Sequence, residues 1–378
     1  MRIIKGFEKI QKREVLDCRI KSLLELAKYY GVHLNSYDVI FLSNSIGFNY
    51  GYITIHNSQF RNVPYATASY SNIEEKFFEA VGQRYVKENI QSDFDGMKKI
   101  NDLIDNNTPI IAKLDCRFFN KGGAFPGKIK INIHYLSSML IVGSDEKEIY
   151  VILTNSDDIA TYRKFQIDEF NKFRWTQCIP YSPKGVCYYL ENFDNVNRVN
   201  AELDILVLRG LERMVGRMLK SECEAWEPFE NSICEKMSTG INAMKALKKD
   251  LKKYLILELT GKADLHVKLA ILFLRNNLIF GSYSAFRKEF AEGLINLGNK
   301  HKNTKLQNMG KEMNVISDLW ILFFTNLSKA GRNDCMFKFT LLAYITFKKI
   351  IRREKRIYRI LHQEVKKLID ILENSNCN

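Results

Sequence analysis

Nucleophilic chemistry in this chain has one ordered set of candidates: Cys18, then His134, then the run Asn155-Ser156-Asp157-Asp158. An imidazole can take a thiol proton, and a carboxamide or carboxylate can hold that imidazole in the required tautomer and orientation. Cys18 follows the loop Arg13-Glu14-Val15-Leu16-Asp17 and opens a helical pattern. Asp17 is a permitted N-cap and Gly31 a permitted stop. Unpaired N–H groups at a helix start favour thiolate over thiol. His33 and His56 sit near turns without a partner pattern, and His266, His301 and His362 fall on late helical segments. A free cysteine at a helix end and a half-buried histidine also have purely structural uses. It is the order of the three groups that points to catalysis.

The elements that must position these groups are visible as patterns. Ile20, Leu23, Leu24 and Ala27 make a helical stripe, with Cys18 nearly opposite beside Lys21, Ser22 and Glu25. That spacing predicts a cysteine outside the packing of the helix. Three strands are predicted over 109–115, 133–143 and 148–155, the last two joined by Ser144–Lys147. Antiparallel pairing would put His134 and Asn155–Asp158 at one end of that hairpin. Lys121–Gly127 is a loop that could cover a cleft. Further helices are predicted over 32–42, 73–84 and 94–106, the last capped by Asp93 or Asp95, with a turn leading to a strand in Ser43–Tyr52 and a strand at Cys187–Leu190. Beyond about residue 200 the pattern is helical, over 200–220, 240–258, 264–279, 283–299, 303–328 and 336–374. The expected architecture is an α+β catalytic domain over 1–197 followed by an all-α helical domain over 198–378.

The 378 residues carry a formal net charge of +14, which calls for an acidic partner. Much of the excess lies in Lys348–Arg359, where interleaved apolar residues read as the solvated face of an amphipathic helix. No nucleic-acid-binding signature accompanies it. The eight cysteines are scattered with no Cys-x-x-Cys pair, which argues against a zinc site and a disulfide framework and for reduced thiols in the cytoplasm. The best candidate for an apolar run, Leu269–Leu274, stops at Arg275, far short of a membrane span. No secretory signal is read at Met1–Gly6. Apolar faces on the late helices make a homodimer plausible.

Four motifs carry a resemblance. Asp17-Cys18 enters a leucine-rich helix ending at Tyr30-Gly31. Gly47-Phe48-Asn49-Tyr50 follows. Pro109–Asp115 is a proline-led strand ending in aspartate. His134-Tyr135 then precedes Met139–Asp145 and the strand Ile149–Leu153. In this order they resemble the family typified by the N-terminal domain of the butirosin-biosynthesis acyltransferase BtrH, over roughly residues 10–160. The later helical half resembles the region often attached to that domain.

The resemblance implies a papain-like fold used for acyl transfer in specialised-metabolite biosynthesis. Cys18 would be the nucleophile and His134 the general base. Asn155 stands where the family usually has aspartate, so Asn155 would complete the triad with Asp157 in reserve. Ser144 replaces a common tyrosine. An oxyanion-donating glutamine is usual about six residues before the cysteine; Lys12 has that spacing and Gln11 is one further, which leaves the Cys18 backbone N–H as the named donor. The resemblance implies no bound cofactor, the acyl donor arriving on the phosphopantetheine arm of an acidic acyl or peptidyl carrier protein and leaving on a small-molecule amine. A cysteine peptidase or amidase with the same triad, and a catalytically inactive interaction module, are the competing readings.

Overall fold

The computed structural model describes residues 2–7, 17–55, 61–69, 72–115, 136–152, 163–176, 182–220, 232–263, 267, 270, 271, 274, 284–331 and 336–376. It is a mixed α+β structure whose residues pack into two compact units. The first is Met1–Val39 with Glu74–Glu202, and the second is Ile40–Ile73 with Leu203–Asn378. The single division expected near 195–200 therefore gives way to a discontinuous one, in which residues 40–73 join the later half.

The first unit is built around a strand with no exposed residue, Ile110–Asp115 (β5). β5 lies between Leu136–Ser144 (β6) and Val186–Tyr189 (β9), antiparallel to both. The sheet extends to Val86–Asn89 (β4) beyond β9, and to Glu148–Ile152 (β7) and Arg163–Gln166 (β8) beyond β6. The predicted β6–β7 hairpin is present, with Ser144 opposite Ile149 and Leu140 opposite Ile152. Arg2–Ile3 (β1) pairs with the far end of β6, where Ile3 faces Gly143. A Cβ on Gly143 would sit 2.4 Å from the Arg2 carbonyl oxygen, so only glycine allows that approach.

Helix Cys18–Tyr29 (α1) packs on β6. Asp17 caps it by accepting from the N–H groups of Arg19 (2.8 Å) and Ile20 (3.3 Å). Gly31, at φ +83°, ends it. Its N–H donates to Lys28 O (3.0 Å) and that of Val32 to Ala27 O (2.9 Å), the paired closure of a glycine stop. Both ends thus follow the sequence. The face does not. Lys21, Ser22 and Glu25 are all buried, with Lys21 Nζ 2.8 Å from Glu25 Oε1. The helix is covered on its polar side as well, while Cys18 at its start stays partly exposed. Phe94–Asp105 (α4) is capped by Asp93, and Ile167–Trp175 (α5) packs Phe170 and Phe173 inward. Ser36–Leu42 (α2), Ile73–Ala80 (α3) and Val196–Leu219 (α6) each straddle the division between the units.

The second unit corrects the all-α expectation. Ile46–Ile55 (β2) pairs with Val63–Ser69 (β3) on one edge and with Ser232–Thr239 (β10) on the other. The partner of β10 is far upstream, so no local pattern exposes it. Gly240–Leu259 (α7), Arg287–Lys300 (α8), Thr304–Ala330 (α9) and Met336–Asn376 (α10) follow. Val267, Ala270, Ile271 and Leu274 are helical and buried, within the predicted 264–279 segment. α9 and α10 run antiparallel: Phe323 stacks on Phe347 at 4.6 Å, and Glu312 pairs with Arg356. Their interior holds a fully buried ion pair, Arg287 Nε to Glu354 Oε1 at 2.9 Å, with Trp320 Nε1 donating to the same oxygen at 2.7 Å. No helix among the described residues is long and apolar enough to cross a membrane.

Candidate active site

Cys18 is the first residue of α1 and is partly exposed. Its Sγ accepts the backbone N–H of Ser138, on β6, at 3.4 Å. Asp17 does more than cap. Its carboxylate also takes a forked pair from Arg19, Nε at 3.1 Å and Nη2 at 2.9 Å. Asp17 thus takes up the N–H groups of Arg19 and Ile20, two of the otherwise unpaired donors in the first turn of α1.

The electrostatics differ from the expectation of a thiolate. Burial first, and the Asp17 carboxylate second, push the Cys18 thiol above its ordinary value. The Ser137 hydroxyl, the Arg19 guanidinium and the Ser138 N–H pull it down without offsetting that rise. Burial also works against charge on Arg19, but Asp17 outweighs it and keeps the guanidinium firmly protonated. Helix-end stabilisation of an anion is thus overridden by desolvation and one adjacent like charge.

Behind the cysteine lies a buried charged cluster. Lys113 of β5 and Ser138 of β6 are cross-strand neighbours. Lys113 Nζ is 2.6 Å from Glu74 Oε1 and donates to Ser138 Oγ at 2.9 Å. Ser138 Oγ in turn donates to Glu74 Oε1 at 2.5 Å. Ser22, one turn along α1 from Cys18, donates to the Ser138 carbonyl at 3.2 Å. Next to this cluster, Glu75 accepts from Tyr188 (2.7 Å) and pairs with Lys87 (2.9 Å). Burial raises the Glu75 carboxyl, but Lys113, Tyr188 and Lys87 outweigh it and leave it below the usual range.

No protein-family model matches the chain, and no curated protein matches it. Among solved structures it is similar to a Bacillus anthracis protein described as a C39-like peptidase, at 11% identity and a TM-score of 0.34, over 51% of this chain and 98% of that one. A likeness of that size decides nothing about fold or chemistry.

Of the residues singled out from sequence, Cys18 is on α1 as expected. His134, Asn155, Asp157, Asp158, Gln11, Lys12 and the 121–127 loop lie outside the described residues. So do Cys116, Cys178, Cys223, Cys335 and Cys377. Sequence reading missed Ser138, Lys113 and Glu74. A signal was there. Lys113 is the lone cation in the apolar strand Ile110–Leu114, and Glu74 shares a helical stripe with Phe77, Phe78 and Val81, all buried. Charged side chains at core-facing positions need partners and mark a built site.

Proposed function

We propose that this chain is a papain-like cysteine acyltransferase that takes an acyl group from a thioester onto Cys18 and passes it to an amine. One observation carries the reading: the Cys18 sulfur meets the backbone of Ser138, on the strand that His134 leads into. Ser137 also touches the sulfur. His134 precedes Ser137 by three residues, a tether that spans at most about 11 Å. β7 ends at Ile152, opposite Leu140, and in the sequence Asn155 and Asp157 follow it by three and five residues.

In this mechanism His134 takes the Cys18 proton and the thiolate adds to the thioester carbonyl. The oxyanion forms against the Cys18 N–H. Collapse expels the donor thiolate, which receives the proton from His134, and leaves an acyl-Cys18. An amine then adds to the acyl group, His134 takes the amine proton, and collapse to the amide returns that proton to the Cys18 sulfur. Asn155, or Asp157, orients the imidazole throughout. A thiol held neutral at rest makes base delivery by His134 the step that creates the nucleophile.

The donor is an acyl group on the phosphopantetheine arm of an acidic carrier protein. Exposed Lys348, Lys349, Arg352, Arg353 and Arg359 on α10 offer such a partner positive charge. Intact-mass spectrometry after incubation with an acyl-carrier thioester and an amine tests the chemistry. Acyl-Cys18 and an amide are expected; a Cys18→Ala variant with full turnover would sink the reading. Cleavage of model peptides with no amide product would instead favour a peptidase. Transfer from the carrier should slow with salt while transfer from a small acyl thiol does not.

A further inference from the structure

We propose that Ser138 is the positioning residue of this site and that the buried Lys113–Glu74 pair serves to hold it. The proposal rests on the reading of Cys18 as nucleophile and goes beyond it in naming what fixes the sulfur.

Every polar group of Ser138 is engaged. Its N–H donates to Cys18 Sγ (3.4 Å) and its carbonyl accepts from Ser22 Oγ (3.2 Å). Cys18 and Ser22 are four residues apart, one turn of α1, so one residue of β6 grips the helix at two successive levels. Two grips set both the height and the rotation of α1 against the strand. With them goes the direction of the sulfur. The hydroxyl is locked in its turn, accepting from Lys113 Nζ (2.9 Å) and donating to Glu74 Oε1 (2.5 Å).

The lysine and the glutamate are a costly way to hold a hydroxyl. Glu74 has no exposed surface, Lys113 is 7% exposed, and Glu74 Oε2 has no hydrogen-bond partner among the described residues. A buried ion pair gives little net stability compared with apolar residues of the same size, whereas it does fix geometry. Here the fixed geometry ends at the nucleophile. Among the described residues, the charged groups facing this point are Asp17, the cap of α1, Arg19 from α1, Glu74 from α3 and Lys113 from β5.

The test is the pH profile of Cys18 alkylation by iodoacetamide, read by mass spectrometry on the full chain. It is run for wild type, Ser138→Ala, Ser22→Ala and the paired replacement Lys113→Met with Glu74→Gln. Loosened contact with the Ser138 N–H removes a group that favours thiolate, so the midpoint should move to higher pH. Single-turnover acylation by acetyl-N-acetylcysteamine should fall about tenfold or more with KM little changed. Circular dichroism reports whether each variant folds; if Ser138→Ala does not, Ser22→Ala decides. Unchanged midpoint and acylation rate in the folded variants would overturn the proposal. Failure of the nucleophile reading looks different: Cys18→Ala would still form product, while the alkylation midpoint, which needs no turnover, still reports on Ser138.

Discussion

Asp17 acts on Cys18 in two opposed ways. It starts the helix that presents the sulfur, and its charge resists ionisation of that sulfur. Asparagine caps a helix about as well as aspartate. Asp17→Asn should therefore keep α1 while removing the like charge and freeing the Arg19 cation from its partner. Both changes lower the Cys18 pKa. The alkylation midpoint should move to lower pH and the rate at pH 7 should rise, opposite to the shift expected for Ser138→Ala. A midpoint that stays in place would mean desolvation alone sets the thiol. Arg19→Gln removes a group that lowers the pKa and should slow alkylation at neutral pH.

At the scale of elements, the site is a helix start laid on one strand and braced by a second helix and strand. Removing only one member of the brace should be harsh. Lys113→Ala leaves the Glu74 carboxylate buried and unpaired, a loss of about 3–5 kcal/mol. Urea unfolding measures it, and the Lys113→Met, Glu74→Gln replacement should recover much of the loss. How far the sequence reveals these elements depends on distance along the chain. The Asp17 cap, the Gly31 stop and the β6–β7 hairpin are local, and each is legible because its chemistry lies within a few residues. The polar face of α1 misleads because periodicity reports which side is apolar, not how many sides the fold covers. Ser138 is illegible for a similar reason, since its partners come from α1, α3 and β5. Of the candidate site, Cys18 and its helix were readable, whereas the groups that hold the sulfur were not.

At the scale of the whole molecule, each unit has its own buried charge pair. In the second, Glu354 binds Arg287 and Trp320, and none of the three side chains has exposed surface. Glu354→Ala strands a buried guanidinium and should cost about 3–5 kcal/mol. Tryptophan fluorescence during urea unfolding would show a lower midpoint; an unchanged midpoint would mean water reaches Arg287. The discontinuous units also predict that a fragment of residues 1–197 behaves poorly. It retains β2 and β3 but lacks β10, leaving a bare strand edge prone to association. Size-exclusion chromatography of that fragment should show aggregates, and a well-behaved monomer would contradict the division seen here.

The union of β2 with β10 also sets a clock for synthesis. Ile55 pairs with Ser232, so the first must wait while the intervening stretch is translated. At about 5–20 residues per second that wait lasts roughly 10–35 s. During it the nascent β2 carries an open edge beside its ribosome, with neighbours on the same message close at hand. A holding chaperone that recognises extended apolar segments would shelter it, and depleting such a chaperone should lower the soluble yield of this protein more than that of one whose strands all pair with near neighbours.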